Sequence, residues 1–88
     1  MTLKIEFATQ DSSLVIRLIG RIEREHLAEL DMHVRRHGPR LAIDLGDVTL
    51  VDAAVVRFLL AREAEGFELR SAAQYIREWM ERERSRQP

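Results

Sequence analysis

The residues best suited to bind another molecule lie in one short stretch, which reads DLGDVTLVDAAV from Asp44 to Val55. Asp52 directly precedes an apolar helical pattern, so its carboxylate is predicted to cap the N–H groups at the start of a helix. The next residues are small, and small side chains let a partner approach closely. Arg57, one turn further along, can pair with carboxylate or carbonyl groups of that partner. This stretch is therefore the first candidate binding surface.

Two aromatic residues near the end of the chain form a second candidate. Tyr75 and Trp79 are one helical turn apart and carry most of the aromatic surface of the last predicted helix. Core packing against a sheet is the leading interpretation of this pair. If the two rings are partly exposed instead, they are natural anchors for a protein partner, because aromatic residues dominate the energetics of interfaces.

Three histidines on the first predicted helix offer the best case for a metal site. His33 and His37 are four residues apart, a spacing that allows two neutral imidazoles to bind one transition metal. His26 would lie about 10 Å further along the helix axis, which is too far for the same ion. We therefore interpret the histidines as a polar border beside Leu30 and predict no metal site.

The sequence contains no arrangement that predicts catalysis. It has no cysteine, which removes thiolate nucleophiles and disulfides. The serines have no histidine at an identifiable spacing, and the four glycines are isolated rather than grouped in a phosphate-binding loop. We therefore predict that the protein is not an enzyme and binds no cofactor.

Length and composition indicate one ordinary globular domain. The chain has 88 residues, too few for a second domain, so residues 1–88 are predicted to form a single one. Its net charge of -1 gives no strong field to attract nucleic acid or an anionic membrane. No apolar run approaches the roughly 20 residues that cross a bilayer, and the first residues do not resemble a signal peptide. We expect a cytoplasmic protein whose partners are other proteins.

Hydropathy patterns predict four strands and three helices. Alternating or continuous apolar residues mark the strands, and apolar residues at helical spacing mark the helices. Ser71 with Gln74 fits a capping box at the start of the third helix, and the polar residues 82–88 are predicted to fray. The predicted strands cover residues 3–8, 13–19, 41–45 and 67–70, and the first two helices cover residues 24–37 and 53–65.

The ββαβαβα order predicts an α/β fold in which a mixed four-stranded sheet is covered by about three helices. The STAS family has the same order, and three segments of the chain resemble its motifs at the right spacing. Residues 15–23 are similar to its second strand and the exit from that strand. Residues 44–55 are the strongest match. Residues 68–71, followed by 75–77, are similar to its last strand and final helix.

The resemblance implies a protein-interaction module. In STAS proteins typified by bacterial anti-sigma factor antagonists, a partner kinase phosphorylates the serine that follows the second aspartate of the central motif. Ala53 stands at that position and has no hydroxyl, so the chain is expected to lack this switch. The expected partner-binding residues are Asp47, Thr49, Asp52, Ala53, Ala54 and Arg57.

The resemblance also implies two kinds of partner. One is a regulatory kinase-like protein, as for the anti-sigma antagonists. The other is a membrane transport complex, because STAS subunits serve certain lipid-transport ABC assemblies. A small-ligand or nucleotide sensor is a further alternative, since some STAS domains bind ligands near the same loop. Thr49 is the residue that could replace the missing phosphate acceptor, and a homodimer stays an open alternative.

Overall fold

The computed structural model describes residues 3–86 and confirms the α/β fold with a mixed sheet and three principal helices. Short 3-10 helices at 24–26 and 38–40 flank the first of these helices. No helix within residues 3–86 is both long and apolar enough to cross a membrane. The principal elements are β1 (Leu3–Gln10), β2 (Ser13–Ile22), α1 (Leu27–His37), β3 (Ala42–Val51), α2 (Ala53–Ala64), β4 (Glu68–Arg70) and α3 (Gln74–Arg86).

The four strands form one sheet in the order β1-β2-β3-β4. β1 and β2 are antiparallel and joined by a two-residue turn, in which Asp11 and Ser12 adopt φ angles of 50° and 68°. Positive φ at both positions gives a turn whose twist matches that of the flanking strands. β3 is parallel to both β2 and β4, so α1 and α2 are crossover helices.

All three helices pack against the same face of the sheet. One cluster of buried side chains contains Ile16 of β2 and Ile43 of β3 together with Leu30 of α1, Leu59 of α2 and Ile76 of α3. Removing these apolar side chains from water is the main favourable contribution to folding. The three helices and the sheet therefore share a single core.

The opposite face of the sheet carries charged residues. Arg17 of β2 lies between Glu6 of β1 and Asp44 of β3, with nitrogen–oxygen distances of 4.0 and 3.9 Å. Arg70 of β4 reaches across the sheet and donates a hydrogen bond to the side chain of Gln10 on β1 (3.0 Å). Successive side chains of a strand point to opposite sides, which explains why one face is apolar and the other polar.

β3 is longer than the sequence analysis predicted. The prediction ended this strand at Leu45 and placed a turn before Asp52, whereas the strand continues to Val51. β2 is also longer than predicted, and its last residue, Ile22, pairs with Val51. Two register shifts, between Arg17 and Ile19 and between Gly20 and Arg21, interrupt the pairing and therefore the alternation of buried and exposed residues. Because the apolar residues do not alternate regularly there, the sequence of the second half of β3 resembles that of a turn.

The start of α3 also differs from the prediction. The capping box of Ser71 and Gln74 is wrong, because α3 begins at Gln74 and Ser71 adopts a left-handed conformation (φ 60°). Ser71 instead approaches β3: a Cβ atom placed on Gly46 would lie 3.3 Å from the Cβ of Ser71. The loop before α3 therefore covers β3 beyond the segment that pairs with β4.

α3 continues through Arg86, although the sequence analysis predicted fraying from residue 82. An ion pair with α2 lies near the end of this helix. Glu83 is buried, and its carboxylate lies 3.4 Å from the guanidinium Nε of Arg57 on α2. This contact holds the last turns of α3 against α2. Residues 87–88 of the predicted fraying end lie outside the described residues.

The shared core makes α3 necessary for stability. Ile76→Ala should lower the free energy of unfolding by about 2–5 kcal/mol, because it removes a fully buried side chain and leaves a cavity. Met32 on α1 is exposed, so Met32→Ala should change this free energy by about 0.5 kcal/mol or less. Urea denaturation followed by circular dichroism measures both values. Equal stability of the two variants would contradict the packing of α3 in the core.

Candidate functional site

Asp52 caps two segments of the chain at once. Its Oδ1 atom accepts a hydrogen bond from the backbone N–H of Val55 (3.0 Å), which confirms the predicted N-cap of α2. Its Oδ2 atom accepts a second hydrogen bond from the backbone N–H of Arg24 (2.9 Å), in the connection from β2 to α1. The second bond joins residues 28 positions apart, so no local sequence pattern predicted it.

Ala53 and Ala54 form the first turn of α2, and both are half-buried. Neither has a polar side chain, so the surface they present is small and apolar. Arg57 is exposed, but its guanidinium already pairs with Glu83 of α3. The side chain of Glu83 is only 9% exposed and also lies 3.5 Å from the guanidinium of Arg86. Arg57 therefore compensates a buried carboxylate, which would be costly to leave unpaired.

Asp47 and Thr49 lie on β3 rather than in a turn. The carboxylate of Asp47 is 4.0 Å from Nε of Arg17, on the charged face of the sheet. Thr49 is exposed, and its backbone carbonyl accepts a hydrogen bond from the hydroxyl of Tyr75 on α3 (3.1 Å). The structure therefore brings Thr49 and Tyr75 together and leaves Asp47 beside Arg17 on the charged face of the sheet.

Two large apolar side chains are exposed beside this hydrogen bond. Tyr75 is 41% exposed, and Leu50, which follows Thr49 in β3, is 50% exposed. Trp79 is half-buried and packs against the core, so Tyr75 is the more available ring of the predicted aromatic pair. The sequence analysis missed Leu50, because the other apolar residues in this half of β3 are buried and hydrophobicity alone does not distinguish them.

His33 and His37 contact an aromatic side chain of the sheet. Their ring centroids lie 5.2 and 5.6 Å from that of Phe7 on β1. Nε2 of His33 also lies 3.8 Å from a carboxylate oxygen of Glu29 on the same helix. Both imidazoles therefore pack at the edge of the sheet, beside the first strand.

His26 lies near two carboxylates, and one of its ring nitrogens is already hydrogen-bonded. The ligand atoms of Glu23, Glu25 and His26 all lie within 4.8 Å of one another. Nδ1 of His26, however, accepts a hydrogen bond from the backbone N–H of Glu23 (2.9 Å). Nδ1 therefore caps the backbone at Glu23 in this arrangement and is not turned toward the two carboxylates as a shared ligand atom.

The fold and the sequence of this chain agree with one known family. A family model described as "Mlab, STAS domain" matches residues 5–82. The match spans most of the sequence, so the chain belongs to the STAS domain family. STAS domains are generally non-catalytic modules that mediate interactions between proteins. A comparison with curated proteins gives no significant match.

The double cap makes Asp52 a structural residue of the site. Asp52→Ala should lower the free energy of unfolding by about 1–3 kcal/mol, because two backbone N–H groups lose their acceptor. Asp52→Asn should be intermediate, since an amide has one acceptor oxygen where the carboxylate has two. Asp47→Ala is the control and should cost about 0.5 kcal/mol or less. If thermal unfolding gives the same loss for Asp52→Ala and Asp47→Ala, the double cap does not stabilise the fold.

Proposed function

We propose that this protein is a non-catalytic regulatory module that binds a partner protein at the start of α2, and that residues 1–88 act as one cytoplasmic domain. Asp52 holds this site in position, and Asp47 borders it on the charged face of the sheet. The main support is the exposure of Leu50 and Tyr75 next to a helix start made of two alanines. The α2-start surface comprises Thr49, Leu50, Ala53, Ala54, Arg57 and Tyr75.

The physical properties of the α2-start surface favour protein binding. The small side chains allow close approach to the helix, and Leu50 and Tyr75 supply apolar area. Burial of such area contributes roughly 25 cal/mol per Å², and aromatic anchors contribute most to many interfaces. The hydrogen bond from Tyr75 to Thr49 orders the ring before a partner arrives, which lowers the entropic cost of binding.

We propose that serine phosphorylation does not control this surface. A phosphate at the start of α2 would add close to two negative charges beside Asp52, enough to disrupt a complementary interface. Ala53 has no side-chain hydroxyl that could accept it. Thr49 has a hydroxyl, but it lies on β3 rather than at the helix start. Without a phosphate acceptor at the helix start, the surface is permanently available.

Two kinds of partner fit a permanently available surface. A kinase-like regulatory protein is the first, by the resemblance to anti-sigma factor antagonists. A membrane transport complex is the second, and the alanine at position 53 favours it, because a stable subunit needs no release step. Affinity purification from the native organism, followed by mass spectrometry of the bound proteins, distinguishes a regulatory kinase from a permease and its ATPase.

Ala53→Glu should weaken partner binding by about tenfold or more, because it adds bulk and negative charge at the centre of the α2-start surface. Folding should persist, since glutamate is tolerated in the first turn of a helix. Ala28→Glu is the matched control: it makes the same change in the first turn of α1, at an exposed position outside this surface. Calorimetric titration with the purified partner gives the affinities, and circular dichroism verifies folding.

Tyr75→Ala locates the partner more closely and should weaken binding as Ala53→Glu does. If Tyr75→Ala weakens binding while Ala53→Glu behaves like Ala28→Glu, the partner contacts α3 and not the start of α2. If neither Tyr75→Ala nor Ala53→Glu changes the affinity, the α2-start surface is not the binding site.

Treatment with an anti-sigma-type serine kinase should leave the α2-start surface unphosphorylated. Ala53→Ser should gain phosphate there, because it restores a hydroxyl at a helix start that favours negative charge. Mass spectrometry of the peptide containing position 53 measures the modification. Phosphate on Thr49 of the unchanged chain, with loss of partner binding, would show that the switch has moved to that residue.

A further inference from the structure

The outer edge of β1 is unpaired. β1 lies at one edge of the sheet and forms its ladder with β2 alone. β4, at the other edge, has three residues, whereas β1 has eight and contains no proline. A long, regular edge strand is a template for pairing with a strand from another chain.

The hairpin determines which backbone groups of β1 point outward. Gln10 and Ser13 flank the two-residue turn and therefore form a hydrogen-bonded pair. Every second residue back from Gln10 bonds to β2, so the N–H and C=O groups of Leu3, Ile5, Phe7 and Thr9 point to the free edge. Among residues 3–86, these groups have no other hydrogen-bond partner.

Phe7 adds an exposed aromatic side chain to this edge. Its ring contacts His33 and His37 of α1, yet 44% of the residue is exposed. Aromatic and aliphatic residues that face each other across neighbouring strands stabilise the pairing. A strand added to β1 would therefore satisfy the outward backbone groups and also cover this ring.

The charges on β1 select one register for a second copy of the chain. In a two-fold antiparallel pair with Ile5 opposite Ile5, Lys4 of each copy faces Glu6 of the other. The same register sets Leu3 opposite Phe7, so the exposed ring gains an apolar neighbour. Registers centred on Lys4 or on Glu6 place like charges opposite each other, which is destabilising. In registers centred further along β1, no charged residue lies opposite another charged residue, so these registers gain no ion pair.

The geometry of the ladder strengthens these charge pairs. Lys4 and Glu6 direct their backbone bonds to β2, so across the new interface they form a non-hydrogen-bonded pair. Side chains are closest in pairs of this type. Both side chains lie on the charged face of the sheet and are 66% and 42% exposed. Within one copy Lys4 Nζ lies 3.2 Å from a carboxylate oxygen of Glu6, so the dimer would exchange this internal ion pair of each copy for two pairs between the copies.

We propose that two copies of this chain form a homodimer by antiparallel pairing of their β1 strands about Ile5. The two four-stranded sheets then become one continuous sheet. The partner that fits this edge is thus a second copy of the chain, selected by the reciprocal placement of Lys4 and Glu6. The pairing does not depend on the function proposed for the α2-start surface.

Charge reversal on β1 tests the register. Lys4→Glu and Glu6→Lys should each raise the dimer dissociation constant by about tenfold or more, because both symmetric pairs change from attractive to repulsive. The double variant Lys4→Glu/Glu6→Lys should recover the affinity of the unchanged chain. Arg36→Glu is the matched control: it reverses an exposed charge on α1 and should have no effect. Sedimentation velocity over a range of concentrations measures each constant.

Each result bears directly on the dimer. Circular dichroism of every variant verifies that folding is unchanged. A chain that stays monomeric at all concentrations overturns the proposal. A dimer that is insensitive to Lys4→Glu, or one that the double variant does not restore, shows that association uses another register or another surface.

Discussion

The carboxylate of Asp52 joins the two segments that leave the centre of the sheet. β2 ends at Ile22 and β3 at Val51, and these residues are neighbours in the parallel pairing. The chain continues toward α1 after β2 and toward α2 after β3, and Asp52 accepts backbone hydrogen bonds from both continuations. At the far end of α2, Arg62 bonds to Asp31 of α1 (3.1 Å). The α1 segment and α2 are therefore joined at the start of α2 and again near its end.

Local chemistry explains which parts of this arrangement could be predicted from sequence. The N-cap role of Asp52 depends on the residues just after it, and the order of strands and helices depends on short hydropathy patterns. The turn at Asp11 and Ser12 likewise follows from local turn chemistry, because aspartate tolerates positive φ and serine is common in turns. In each case the determining interaction lies within a few residues, so a single sequence was sufficient.

The features that sequence analysis missed depend on contacts between distant residues. The second half of β3 is a strand because β2 extends alongside it, and Leu50 is exposed because no helix covers that position. Ser71 has its left-handed conformation where the loop crosses Gly46 of β3. Glu83 is buried where Arg57 of α2 approaches it. None of these contacts leaves a pattern in the neighbouring sequence.

The sheet order allows the two proposed interfaces to be used at the same time. β1 forms one edge, whereas the α2-start surface follows from β3, and β2 lies between the two strands. Strands are spaced about 4.8 Å apart, so β1 and β3 are separated by roughly 10 Å. A second copy paired with β1 extends the sheet away from β3, and Thr49 and Tyr75 keep their hydrogen bond in each copy. A dimer of this kind would present two α2-start surfaces. A partner with two binding sites could then contact both surfaces at once and would bind the dimer more tightly than a single copy.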